Sequence, residues 1–215
     1  MKNLQAFRIP KKRPRLMMIL ALQCRGLSMP DGNCLISRLV GAYDIARHFA
    51  KEAELNRIYT LGYEGAAVAD FIATLTEAGV SLLLDVRQLP QSRRPGFSKR
   101  VLSEALQEAG IGYRHMRQLG DPKPGRDAAR RGDMAEFRSI FGTHLASEES
   151  QSAIRDAATV SQEKTVALMC YERAPKDCHR SIVAERIRDI VSVEIVHLGV
   201  QPGRAAGRTT DGGGT

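Results

Sequence analysis

Tryptophan is absent from this 215-residue chain, and aromatic residues make up only 5% of it. So sparse a supply argues against a base-stacking platform of the RNA-recognition type. Cysteine is scarce as well. Cys24, Cys34, Cys170 and Cys178 are too few to staple a chain of this length as a disulfide scaffold, so reduced thiols are expected. Long apolar runs are missing too. LMMILAL at Leu16–Leu22 follows the basic KKRPR of Lys11–Arg15 in the manner of a secretion signal. It is seven residues long, Gln23 interrupts it, and no small-x-small cleavage site follows cleanly. A membrane span needs about 20 apolar residues. These absences point to a cytoplasmic protein with no membrane contact, and Met29 is a candidate start of translation.

Acidic residues are missing from one stretch in particular. Val86 to Ser103 carries Arg87, Arg93, Arg94, Lys99 and Arg100 with no Asp or Glu, which makes this loop a candidate phosphate contact or a solvated basic loop. The formal charge of +8 is otherwise a property of the ends. Between Ile58 and Leu198 there are 19 basic and 19 acidic residues, so the charge of the whole chain says little about nucleic-acid binding by its core.

What is present is an apolar fraction of 43%, enough for one core, arranged as alternating strand and helix patterns. Residues 1–57 read as an extension, with a short amphipathic helix at Leu39–Ala53. Strands are expected at Ile58–Gly62, Val80–Val86, Ile111–Met116, Thr165–Tyr171 and Val193–Leu198. Helices are expected at Ala66–Ala78, from Ser98 to Ala109, from Asp133 to Ala146, from Glu148 to Gln162, and from Cys178 to Ile190. Asp177 is the expected N-cap of the last helix, whose apolar stripe is Ile182, Val183, Ile187 and Ile190. Leu119–Gly132, with Pro122, Pro124 and Gly125, reads as a polar loop. The Gly-rich tail from Gln201, within residues 199–215, is expected to lack fixed structure. The pattern implies one α/β domain over residues 58–198, a mainly parallel sheet of about five strands with helices on both faces, Rossmann-like in its three layers.

In such a sheet, ligands bind beyond the carboxyl ends of the strands. The first strand ends in Gly62-Tyr63-Glu64-Gly65, the second in Asp85-Val86-Arg87, and the strand at Leu168 in Cys170-Tyr171-Glu172-Arg173. Charged and thiol groups at all three ends would converge on one crevice. The start of the last helix adds Cys178, His179 and Arg180, where free backbone N–H groups favour anions and thiolates. Each residue also has a structural reading. The glycines suit a tight turn, Asp85 and Arg87 suit an ion pair, Cys170 suits a core position, and His179 suits a helix end. The gap of seven residues between Cys170 and Cys178 is not the spacing of structural zinc sites, so no metal is assigned and no cofactor is required by the sequence. The loop after Cys170 is only loosely like a phosphatase loop, because Lys176 stands where C-x5-R needs arginine.

Four stretches, TLGYEG (Thr60–Gly65), LLLDVRQLPQSRRPGFSKRVL (Leu82–Leu102), AGIGYRHMRQLGDPK (Ala109–Lys123) and ALMCYERAPKDCHRSIVAERI (Ala167–Ile187), resemble the domain of unknown function (DUF) 488 family. The resemblance runs over Ile58 to Leu198 in the family's order. It implies a compact cytoplasmic α/β domain of bacterial type and implies no activity. The family's pattern falls on Gly62, Tyr63, Glu64, Asp85, Arg87, Arg93, Phe97, Lys99, Cys170, Glu172, Cys178, His179 and Arg180.

Three functions follow as expectations. The first is an enzyme or ligand-binding protein for a phosphate- or carboxylate-bearing substrate, nucleotides and nucleic acid included. Glu64 or Asp85 would serve as acid or base, Cys170 or Cys178 as nucleophile, and Gly62, Tyr63, Arg87, Arg93, Lys99, Glu172, His179 and Arg180 as binding groups. The second is a non-catalytic nucleic-acid module using the Arg87–Arg100 loop. The third is a thiol-redox or metal role for Cys170 and Cys178.

Overall fold

The structure is a computed structural model that describes residues 56–206. The basic and apolar segments at Lys11–Leu22, the helix expected at Leu39–Ala53 and the end of the tail lie outside the described residues. Strands β1 (Asn56–Gly62), β2 (Leu82–Asp85), β3 (Gly112–His115), β4 (Val166–Cys170) and β5 (Val193–Leu198) form one sheet. Its order is β3-β2-β4-β1-β5, and every pairing is parallel. Helices α1 (Val68–Glu77), α2 (Lys99–Glu108), α3 (Lys123–Arg130), α4 (Met134–Leu145), α5 (Glu148–Glu163) and α6 (His179–Arg188) complete the described residues. None of these helices is long and apolar enough to cross a membrane.

The apolar runs explain the layering. Successive side chains of a strand point to opposite faces. In β2 and β4, Leu82, Leu84, Val166, Leu168 and Cys170 join the core under α3–α6, where Phe137, Phe141, Ile154, Val183 and Ile187 meet them. Leu83, Ala167 and Met169 face the other way, onto Phe71 and Leu75 of α1 and Leu102 and Leu106 of α2. β2 and β4 are buried at every position, as central parallel strands must be when helices cover both faces. The expected three-layer α/β architecture with about five mainly parallel strands is what the chain adopts.

Local differences have physical causes. The segment read as a polar loop contains α3. Pro124 stands in its first turn, where a missing N–H costs nothing, and Ala128 is buried beneath it. The N-cap of α6 is Cys178, not Asp177, because Asp177 belongs to a 3-10 turn, Pro175–Asp177, that delays the helix by one residue. Ile190 lies past the end of α6 and is 50% exposed, so the apolar stripe ends at Ile187. Ser98 precedes α2 as expected, but its hydroxyl bonds Ser92 instead of capping the helix. Residues 201–206 begin the tail with a turn whose Gly203 and Ala205 amides donate to the Asp70 carboxylate.

Candidate functional site

The strand order decides where the site can form. β1 and β2 lead into helices on one face, whereas β4 leads into α6 on the other. β4 lies between β1 and β2, so the chain diverges on both sides of its carboxyl end. Such divergence leaves a crevice at that rim of a parallel sheet. The crevice is present as a cleft of about 410 Å³, lined in part by Tyr63, Arg87, Cys170, Glu172 and His179.

The reactive groups gather at the end of β4. The Cys170 and Cys178 sulfurs both lie within hydrogen-bonding reach of Glu172 Oε2, at 3.1 and 3.2 Å. Cys170 Sγ is 3.6 Å from His179 Nδ1. The other ring nitrogen, Nε2, donates to the Val86 carbonyl at 2.8 Å, which leaves Nδ1 with its lone pair toward the sulfurs in the neutral ring. Phe141 meets the imidazole edge-on at 5.3 Å and fixes its plane. The ligand atoms of Cys170, Glu172, Cys178 and His179 all lie within 4.8 Å of one another.

Electrostatics separates the two thiols. Burial, with Cys178 and Glu172 adjacent, pushes the Cys170 thiol well above its ordinary range. Burial opposes ionisation of Cys178 too, but the hydrogen bond with Cys170, the neighbouring His179 and the charge of Arg180 outweigh it and hold that thiol well below its usual value. Burial likewise opposes the charge on His179, yet Cys178 raises the imidazole to about 9. Glu172 is pushed up by burial and by Cys178.

Not every strand-end charge faces the cleft as a free group. Asp85 is fully buried, with its carboxylate taken by Arg87 Nε and Nη2 at 2.8 and 2.6 Å and by the Tyr113 hydroxyl at 2.6 Å. Arg87 also donates to the Tyr63 hydroxyl and the Phe97 carbonyl, so it braces the cleft wall. Arg180 is fully buried, and its guanidinium donates to the Glu172 and Arg173 carbonyls. It clamps the β4–α6 loop. The exposed Glu64 accepts from the Arg173 amide and tethers the same loop. Gly62 is required by close approach, since a Cβ there would collide with the Glu172 carbonyl. Arg93 is exposed on a separate groove of about 850 Å³ with Arg94 and Tyr171, and the exposed Lys99 starts α2.

The cleft also holds groups that sequence reasoning passed over: Asp121, Arg126, Arg130, Gln88 and Gln91. Burial raises the Asp121 carboxyl to about 6, and its Oδ1 has no partner. Gln88 Oε1 is likewise buried without a donor. Arg126 and Arg130 stand four residues apart on one face of α3, a signal that becomes readable once α3 is recognised as a helix.

No curated protein and no solved structure matches this chain. The family model described as domain of unknown function DUF488 matches residues 67–187, a span from the foot of α1 to α6 that takes in β2, β4 and the whole Cys–Glu–Cys–His cluster. With more than half of its length matched, the chain belongs to the DUF488 family.

Proposed function

We propose that this protein is an enzyme acting on a small phosphate- or carboxylate-bearing substrate, a nucleotide being of suitable size, held in the cleft beyond β4. One observation carries this reading. Two thiols, a carboxylate and an imidazole crowd together at a cleft of about 410 Å³ whose wall also presents Arg126 and Arg130. That volume is in the range of small-ligand sites, about 300–1,000 Å³. Arg126 and Arg130 supply positive charge toward an anion. The buried acceptor of Gln88 would take a donor from the substrate, since an unpaired buried polar atom costs about 1–3 kcal/mol. On this reading Glu172 and His179 transfer protons and Cys170, which lines the cleft, meets the reacting centre, with Cys178 buried behind it. Asp85, Arg87 and Arg180 serve by positioning, because the Asp85 carboxylate, the Arg87 guanidinium and the two terminal nitrogens of Arg180 are engaged with the protein itself.

The test is turnover of a panel of phosphomonoesters, nucleotides and carboxylate esters. Activity on one class is expected, with KM raised at least tenfold in the R126A/R130A variant, about 1.4 kcal/mol of binding. Turnover should be lost in E172Q and C178S. A variant set that works as well as the wild type would overturn the assignment.

A second reading makes the Arg87–Arg100 loop a non-catalytic nucleic-acid contact. The exposure of Arg93 on a groove shared with Tyr171 favours it. It requires binding that weakens steeply with salt and falls when Arg93 and Arg94 are neutralised. Salt-insensitive binding removes it.

A further inference from the structure

We infer that Cys170, Cys178, His179 and Glu172 form a site for one thiophilic divalent metal ion of the zinc class. The chain spacing of the two cysteines does not resemble a structural zinc motif, but spacing only matters when one loop supplies the ligands. Here a strand end supplies Cys170, the loop Glu172, and the N-cap and first residue of α6 supply Cys178 and His179.

The donor set selects the ion. Two sulfurs and an imidazole are soft to borderline ligands, suited to zinc or iron(II) and poorly suited to magnesium or calcium. Zinc bonds of about 2.3 Å to sulfur and 2.0–2.2 Å to nitrogen and oxygen set the edges of a tetrahedral site at about 3.4–3.8 Å. A sulfur–oxygen edge is then about 3.5–3.7 Å, so the carboxylate separations of 3.1 and 3.2 Å are about half an ångström short of it, while the 3.6 Å between Cys170 Sγ and His179 Nδ1 matches a sulfur–nitrogen edge. The four ligand atoms lie within 4.8 Å of one another, so closing on one ion requires the set to draw together by up to about 1 Å.

The surroundings are those of a metal ligand set. A ligating imidazole ordinarily donates its second nitrogen to a carbonyl or carboxylate, and His179 Nε2 donates to Val86. The charge balance closes as well. A divalent ion displaces two protons shared among Cys170, Cys178 and His179, which pass to solvent, so the net charge of the pocket stays as it was. With two thiolates, one carboxylate and a neutral imidazole, the centre carries one negative charge. Buried Arg180, which forms no ion pair with a carboxylate among the described residues, stands beside Glu172 to meet it.

The ligands are not equivalent. Cys178 is buried away from the cleft, whereas Cys170, Glu172 and His179 form part of its lining. Glu172 is the only one of the four that is half-buried. It is the ligand that gives way when a substrate oxygen approaches, leaving Cys170, Cys178 and His179 on the metal. Such an open position is what distinguishes a catalytic metal site from a closed structural one. The use of the ion as a Lewis acid rests on the proposed anionic substrate, but the binding of the ion does not.

The experiment is cobalt(II) substitution in the full chain, with Cys24 and Cys34 replaced by serine so that only the pair reports. The protein is stripped with a chelator under reductant and titrated with cobalt(II), then with zinc(II). Expected is a thiolate-to-cobalt charge-transfer band that saturates at one equivalent and is abolished by zinc(II). The band should weaken stepwise in C170S and C178S. It should persist in E172Q with cobalt affinity lowered at least tenfold, the smallest loss usual even for groups outside the ligand shell. R126A/R130A should titrate as the wild type does, so a protein that binds cobalt and no anion sinks the substrate reading while leaving the metal site standing. If the ligand variants fold poorly, the spectrum of the chain with all four ligands intact decides alone. The inference is overturned if no charge-transfer band forms. It is also overturned if the two thiols pair as a disulfide at a rate that saturating zinc(II) does not slow.

Discussion

Asp85 shows how a charged strand end becomes part of the core. It has no exposed surface, and four donors satisfy its oxygens: the Arg87 amide, Nε and Nη2 and the Tyr113 hydroxyl. Burial opposes the charge on Arg87, but the hydrogen bond and charge of Asp85 outweigh it and raise the guanidinium above its ordinary value. Burial and Asp85 together push the Tyr113 phenol up as well. A buried ion pair of this kind adds little net stability, yet losing one partner strands the other. Asp85→Asn is therefore expected to destabilise the domain by about 3–5 kcal/mol, seen as a lower urea midpoint with an unchanged slope. Replacing both partners, as D85N/R87M, should cost less than the sum of the single changes. Arg180 teaches the same lesson. A sequence places an arginine beside a helix start, but only coordinates reveal that its donors turn back to carbonyls of its own loop.

At the scale of elements, α1 does more than cover the sheet. Asp70 in its first turn accepts from the Gly203 and Ala205 amides and ties residues 201–206 to the helix, and Arg204 pairs with Glu77 at the helix end. Those backbone donors, from Ala205 and then Gly203, hold the Asp70 carboxyl below its ordinary range. A carboxyl lowered in the folded state stabilises the fold above the unfolded value of about 3.9. That contribution is lost as pH falls through the lowered value. Asp70→Asn should release the segment at neutral pH, and acidification should do the same in the wild type. Hydrogen exchange at Gly203 and Ala205 is the measurement, with amides of β4 as the unchanged control.

The element that escaped sequence reading is α3, because KPGRDAAR carries two residues that ordinarily break helices. Pro124 is harmless in the first turn. Gly125 is required by its neighbour, since a Cβ there would strike the Asp121 carboxylate. Asp127 pairs with Lys123 and Arg130 along the exposed face. Five of the six helices were legible from apolar periodicity, to within a few residues at their ends. The sixth was hidden by local chemistry that only its packing partner explains.

For the molecule as a whole, charge is a matter of placement. Residues 58–198 carry equal numbers of acidic and basic groups, so any attraction for anions comes from local arrangement. The cleft concentrates Arg126 and Arg130 at one rim of the sheet. A ligand held there stabilises the folded state by mass action, about 2.7 kcal/mol at a concentration a hundredfold above Kd. The best substrate class found by turnover should raise the melting temperature by about 5–10 °C at that concentration, since 1 kcal/mol is worth about 2–4 °C in a domain of this size. The shift should vanish in R126A/R130A and shrink with added salt. A shift of the same size in that variant would place the ligand elsewhere.

The amino-acid pattern alone determined the class of fold. Apolar runs too short for helices, alternating with amphipathic segments, can be buried only as strands between two helical layers. It also determined which residues stand at strand ends, because a strand end is marked by the loss of apolar character, as at Cys170-Tyr171-Glu172. The tertiary structure decided the strand order and the fate of each polar group. Parallel strands pair through backbone groups that are the same in every residue, so nothing in the sequence says that β4 lies between β2 and β1. The turn from β4 into α6 sets Cys170, Glu172, Cys178 and His179 around one point, and the strand order opens the cleft beside them. Packing also turns Asp85, acidic at the end of β2, and Arg180, basic in the first turn of α6, into supports for them.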